Sequence, residues 1–295
     1  MAKRLMGDGW DVYGIDAVPR QDARRLGDLK LAGYEWRSLM DFHDFPPGIQ
    51  YVVHCAAQAD VPYGRSSPLI TMQTNALGTI NLCEAARRAG ALERIVVMSS
   101  ESVYGATKLI PIPEDAPMNP TSLYGASKAA QELTARSYWH TDKLPVVITR
   151  SSTLFGPNMR MTQVVSTFLR QAVLGLPITM HGDGAQTRDF QAVSNLADGL
   201  FLALINPQAV GDVFNLAGGN EISVKQIATL AVELTNSKSE IQHLPQREGE
   251  QGLRLVPDIS KAKRILGYEP RVSFEQGMRE TAMWVGSLWG PPGRE

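Results

Sequence analysis

The sequence has only two cysteines among 295 residues, Cys55 and Cys83, too few for a disulfide scaffold. Both stand in apolar runs, where cysteine packs as a small hydrophobe, and a reducing, cytoplasmic setting fits that count. Net charge is nearly absent as well: 29 Lys+Arg against 30 Asp+Glu leave −1, which excludes bulk attraction to nucleic acid or to a membrane surface. No apolar run reaches the roughly 18 residues of a membrane span, and the start, MAKRLMGDGW, has no apolar core of a secretory signal. The five histidines, His43, His54, His140, His181 and His243, lack metal-ligand spacing, so no metal site is expected. What remains, 43% hydrophobic and 20% charged residues, is the composition of a folded globular chain.

Apolar runs and helical patterns alternate through the first half. Trp10 to Ile15 reads as a short strand ending at Asp16, and Tyr51 to Ala57 as a strand buried on both faces. A helical pattern over 68–90 stops at Gly90, and Arg94 to Ser99 is a second buried strand. Asn119 to Thr141 reads as a long helix with Pro120 near its first turn, followed by a strand over Leu144 to Thr149. This alternation predicts βαβ units in a doubly wound, Rossmann-type parallel α/β sheet. Beyond Gly156 the pattern loosens into helices near 161–174, 194–206, 223–235 and 258–266, short strands around 178–180 and 213–216, and a polar loop over 181–189. The division expected is an incomplete dinucleotide-binding domain over 1–152, with the catalytic helix, and a smaller α+β substrate domain over 153–295 that sends some segments back to the first sheet.

A glycine-rich turn of the form G-x-G-x-x-G, which cradles a pyrophosphate between a first strand and its helix, does not occur. Gly7-Asp8-Gly9 precedes a strand instead of following one, and reads as a helix cap and turn. Residues 2–6 resemble the second half of a first helix. Roughly 20 residues of a complete unit, its first strand and phosphate turn, are expected to be missing. Asp16, at the end of its strand, is placed to accept hydrogen bonds from adenosine ribose hydroxyls and to favour NAD over NADP. The alternative is a solvated loop aspartate.

The strongest chemical constellation is Ser100 with Tyr124 and Lys128. Tyr124-Gly-Ala-Ser-Lys128 falls inside the long helix, so tyrosine and lysine share a face. An ammonium near a phenol lowers its pKa and makes phenolate available as a base, while a serine hydroxyl shares the proton. Such a trio suits hydride transfer at a secondary alcohol. Tyr104-Gly-Ala-Thr-Lys108 has the same spacing but runs into Pro111 and Pro113, which makes it a loop whose side chains need not align.

These motifs resemble the extended short-chain dehydrogenase/reductases, the NAD-dependent sugar-nucleotide epimerases and dehydratases. The resemblance runs over nearly the whole chain. It rests on His54-Cys-Ala-Ala57, Asn75-Ala-Leu-Gly78-Thr79, Val97 to Gly105, Tyr124 to Lys128, Arg150 to Pro157, Gly182 to Phe190, Phe214 to Gly218 and Asp258 to Gly267. It implies Tyr124 as base, Lys128 on the nicotinamide ribose and Ser100 as the third hydroxyl. It also implies Asp16, Ala56, Ala57 and Asn75 along NAD, with Glu101, Thr153, Arg188 and Arg247 on a nucleotide-sugar, and a homodimer formed by the helices at 68–90 and 120–141. Two positions depart from the usual pattern. Ser38-Leu39 stands where an acid and an aliphatic residue are common. Glu101 stands where 4,6-dehydratases carry an acidic Asp, but it is followed by Ser102 instead of Glu. The Ser-Ser-x-Ser-Val-Tyr-Gly wording is closer to 4-epimerases, and Thr153 is similar to uronate 4-epimerases. C4 epimerisation is therefore expected first, with a dehydratase or reductase, or a homologue that binds without turnover, as the alternatives.

Overall fold

The computed structural model describes residues 1–23, 26–246 and 254–290. A short helix, α1 (Ala2–Gly7), closes in a turn where Gly9 takes φ +80°, which a glycine adopts without strain. β1 (Tyr13–Asp16) pairs in parallel with β2 (Gly33–Trp36). Then come β3 (Tyr51–His54), α2 (Val61–Ser66), α3 (Pro68–Met72), one π turn (Gln73–Leu77) and α4 (Gly78–Ala89), stopped by Gly90 in the left-handed region. β4 (Arg94–Ser100), α5 (Leu123–Asp142) and β5 (Val146–Ser151) complete the first half.

The second half runs through β6 (Thr153–Phe155), α6 (Val164–Val173), β7 (Ile178–His181), β8 (Thr187–Arg188), β9 (Phe190–Ala192) and α7 (Val193–Ile205). It ends with β10 (Val213–Leu216), β11 (Ile222–Ser223), α8 (Val224–Thr235), β12 (Ile241–Leu244), β13 (Arg254–Leu255), α9 (Ser260–Leu266) and α10 (Phe274–Trp289).

The principal sheet has the order β10-β5-β4-β3, all parallel. Side-chain alternation along its central strands divides the core between two faces. Ile95, Val97, Val146 and Ile148 pack with Leu82, Cys83 and Ala86 of α4 and Ala135 of α5. Val96 and Val147 point the other way, against Leu196 and Leu200 of α7, Ala262 of α9 and Leu5 of α1. Helices on both faces are why Ile95 to Met98 of β4 and Val146 to Ile148 of β5 are continuous apolar runs. The α/β doubly wound class expected from the sequence is therefore present. β1 and β2 form a separate two-stranded parallel sheet. A third core joins α6, α8 and α10 around Phe155, Phe168, Ile178, Ile227 and Met278.

Three sequence expectations shift in detail. The long helix begins at Leu123 and not Asn119, because the Ser122 hydroxyl caps it by accepting from Gly125 N at 3.0 Å. Pro120 lies outside, in the segment packed against Gly105; a Cβ at Gly105 would stand 1.8 Å from the Asn119 carbonyl oxygen. β3 stops at His54, leaving Cys55 and Ala56 exposed beyond the strand; only Cys83 packs as a buried hydrophobe. Among the described residues, no helix is long and apolar enough to cross a membrane.

Candidate active site

Tyr124 and Lys128 sit one turn apart on α5, facing the carboxyl end of β4. Ser100 is the last residue of that strand; its side chain accepts from Ser102 N at 3.2 Å, fixing the turn, and it lies near enough to the Tyr124 phenol to lower its pKa. The structure thus brings Ser100 and Tyr124 together. Burial holds the Tyr124 phenol above its ordinary pKa, while Ser100 and the nearby Arg160 guanidinium pull it back. Arg160 is a residue the sequence motifs did not single out. It donates to Ala59 O at 2.9 Å and pairs with Asp60 at 3.4 Å, which ties the 156–163 loop to the segment after β3.

Lys128 is placed differently from the sequence expectation. Only 1% exposed, its ammonium donates to Met98 O and Gln131 Oε1, and burial lowers its pKa to about 8. Its N–H groups point at those acceptors, and the cation that lowers the phenol pKa is Arg160. Among the described residues, two of its three N–H donors are thereby engaged.

A buried ion pair keeps α5 in register with the sheet. Arg150 of β5 binds Glu132 with Nε–Oε2 at 3.0 Å and Nη2–Oε1 at 2.6 Å. The same guanidinium donates to the Tyr104 hydroxyl at 2.9 Å, which in turn donates to Asn215 at 2.6 Å. Tyr104, fully buried, is therefore a structural tyrosine; its Tyr-x-x-x-Lys spacing has no helix behind it.

Glu101 follows Ser100 and is 3% exposed. Its Oε1 accepts from Thr153 Oγ1 at 2.9 Å, and Oε2 has no partner among the described residues. Burial pushes the carboxyl up to about 8; Arg188 opposes this and Asp189 adds to it. Arg188 is fixed on β8 between β11 and β13. Asp189 anchors that corner by accepting from Ser152 Oγ at 2.6 Å, Gly218 N at 2.7 Å and Asn220 N at 2.9 Å. Thr153 and Glu101 therefore meet, with the Arg188 charge near enough to act on the carboxyl, whereas Arg247 lies outside the described residues.

The residues expected along a dinucleotide lie at the carboxyl ends of the strands, where doubly wound sheets bind such ligands. Asp16 ends β1 and is exposed; its Oδ1 accepts from Val18 N at 3.1 Å. Ala56 and Ala57 follow β3 without bulky side chains. Asn75, fully buried in the π turn, contacts no open surface: it clasps Gln58 N at 2.7 Å, Gln58 O at 3.0 Å and Ser127 Oγ at 2.8 Å. Its role is to shape the 56–58 loop. An exposed carboxylate at the end of β1, a small-residue strip after β3 and a buried lysine near the end of β4 are compatible with such a cofactor.

Fold and site together define a doubly wound α/β protein with a serine–tyrosine hydroxyl pair and a buried lysine at the carboxyl edge of its parallel sheet. The sequence profile described as "NAD dependent epimerase/dehydratase family" matches residues 1–217, and the chain belongs to that family. It is 36% identical to UDP-glucuronic acid decarboxylase 1 of Xenopus tropicalis over 291 residues, covering 95% of this chain and 68% of that protein. With UDP-glucuronate 4-epimerase of Thermodesulfobacterium geofontis it shares 33% over 297 positions, 95% of this chain and 90% of the other. A solved structure of Bacillus cereus UDP-glucuronic acid 4-epimerase, with UDP-glucuronic acid and NAD, superposes with a TM-score of 0.88 at 25% identity, covering 98% of this chain and 95% of that one.

Proposed function

We propose that the protein inverts C4 of a UDP-sugar or UDP-uronate through a 4-keto sugar, using NAD. The observation that carries this reading is the Ser100–Tyr124 hydroxyl pair, held at the end of β4 beside Arg160. NAD, when bound, takes up the C4 hydride and returns it. Tyr124 takes the proton of the C4 hydroxyl, with Ser100 holding the same oxygen and Arg160 favouring the phenolate. Lys128 offers its third N–H to the nicotinamide ribose, Asp16 accepts from the adenosine ribose, and Ala56 and Ala57 leave room for the cofactor between them. Arg188 and Arg247 present guanidinium forks suited to diphosphate oxygens. The keto sugar turns over in the cleft, and Tyr124 returns the proton as the alcohol re-forms. In this reading residues 1–152 hold the cofactor and 153–295 mainly hold the sugar.

A second reading, loss of water in the manner of a 4,6-dehydratase, is favoured by one observation: Glu101 has an oxygen unpartnered among the described residues and a pKa near neutrality, as a proton donor needs. Relatives at about a third identity include both chemistries. Incubation with UDP-glucose or UDP-glucuronate and NAD, followed by proton NMR, separates them. A C4-inverted product supports epimerisation, and a 4-keto-6-deoxy product overturns it.

For assembly we infer a homodimer. Leu69 and Ile70 of α3, Leu77 of the π turn and Leu133 of α5 are 45% to 76% exposed, an apolar face that a second copy would cover. A cytoplasmic setting is likewise proposed, with no nucleic-acid or membrane partner.

A further inference from the structure

Behind Lys128 lies a closed chain of polar side chains that the proposed chemistry does not use. Gln131 is fully buried. Its Oε1 accepts from Lys128 Nζ, and its Nε2 stands 2.9 Å from His54 Nε2 and 3.1 Å from Thr79 Oγ1. His54 Nε2 is in turn 2.9 Å from Thr79 Oγ1, and the Thr79 hydroxyl donates to Asn75 O at 2.7 Å. All of these side chains are more than nine-tenths buried, so water is a poor substitute for any of these partners.

Donor and acceptor chemistry allows one arrangement while Lys128 is charged. An ammonium only donates, so the Gln131 atom facing it is the carbonyl. The amide NH2 then faces His54 and Thr79, and it too only donates. His54 Nε2 must accept, which puts the single imidazole proton on Nδ1. His54 stays neutral because burial and the Lys128 charge press its pKa down to about 3. When Lys128 gives its proton to solvent, its nitrogen becomes an acceptor. The amide can then turn over, NH2 toward Nζ and carbonyl toward His54, and His54 answers by carrying its proton on Nε2. The imidazole gains and loses one proton, so its charge does not change.

We propose that Gln131 is a positioning residue whose amide fixes the Lys128 ammonium and ties the charge of that lysine to the tautomer of His54. The titratable groups facing Lys128 are His54 and Cys55 from the end of β3 and Glu132 from α5. Of these, His54 is the one the amide touches.

The test is nitrogen-15 NMR of the full chain without substrate, so it stays decisive even if the protein proves not to be an epimerase. Imidazole nitrogen shifts report the tautomer, and the Lys128 ammonium signal reports its charge, across pH 6 to 10. In the unmodified protein we expect a bare Nε2 at pH 6 and a tautomer change with the same midpoint as Lys128. A protonated Nε2 at pH 6, or a tautomer that ignores the lysine midpoint, overturns the proposal. Gln131→Met keeps length and helix propensity and removes the amide. In that variant His54 should already carry its proton on Nε2 at pH 6, donating to Thr79, and the link to Lys128 should vanish. Retention of the wild-type tautomer and pH response in Gln131→Met also overturns the proposal. Should that variant not fold, the wild-type titration decides alone.

Discussion

Thr153 donates one hydrogen bond to Glu101, Oγ1 to Oε1 at 2.9 Å, and the second carboxyl oxygen of Glu101 is left buried with no partner among the described residues. A half-satisfied carboxyl of this kind is costly when charged, and burial accordingly raises its pKa to about 8. The site therefore holds a protonated acid at neutral pH, next to the hydroxyl pair and not part of it.

That proton makes stability depend on pH in a defined direction. Below about pH 4.5, folded and unfolded chains both hold it. Between about 4.5 and about 8 the unfolded chain releases the proton while the folded chain keeps it, so stability falls as pH rises. Glu101→Gln removes this dependence. Urea melts at pH 5 and pH 8 should show the variant gaining on wild type by on the order of 1–3 kcal/mol at the higher pH.

The same substitution also reads the chemistry. In C4 epimerisation, which eliminates no water, Glu101→Gln should change kcat by less than about threefold. An obligate acid would lose on the order of 100-fold or more.

Tyr124→Phe removes the base while keeping the packing of α5. Turnover should drop by about 100- to 10,000-fold with NAD affinity, measured by calorimetry, within a few fold of wild type. Full turnover in this variant would remove Tyr124 from the mechanism.

Arg150 and Glu132 form the buried pair that sets α5 against β5. Arg150→Met leaves Glu132 uncompensated in the core and should cost about 3–5 kcal/mol in denaturant melts. Combining it with Glu132→Leu should restore most of that loss, since two apolar residues leave no buried charge.

The proposed dimer rests on the apolar face of α3 and α5. Leu133→Glu puts a charge at its centre, and light scattering should shift from twice 32.3 kDa toward 32.3 kDa without loss of helical signal.

The doubly wound sheet was legible because β4 and β5 carry continuous apolar runs between helical patterns, a signal carried by neighbouring residues. The different settings of Tyr124 and Tyr104 were legible too: only Tyr124-x-x-x-Lys128 lies within a helix, while Tyr104 is buried against Arg150 and Asn215. Three features were not. Arg160 acts on Tyr124 by its charge from a loop of the second half, and no local pattern marks a residue that acts across the fold. The Lys128 ammonium turns toward Met98 O and Gln131 because a buried cation seeks whatever acceptors lie nearest, which spacing alone does not reveal. Asn75 is read from its motif as a cofactor contact, yet the π turn directs it inward to Gln58 and Ser127. The helix α10 shows apolar residues at Phe274, Met278, Ala282 and Val285, a helical period that could have marked it in advance.

The central claim is inversion at C4 with Tyr124 as base. Its most direct measurement is proton NMR of UDP-glucuronate and UDP-glucose incubated with the full chain and NAD, beside Tyr124→Phe. The account predicts a new C4-inverted sugar nucleotide with wild type and none with the variant. A decarboxylated or dehydrated product, or the inverted sugar appearing equally with Tyr124→Phe, would contradict it.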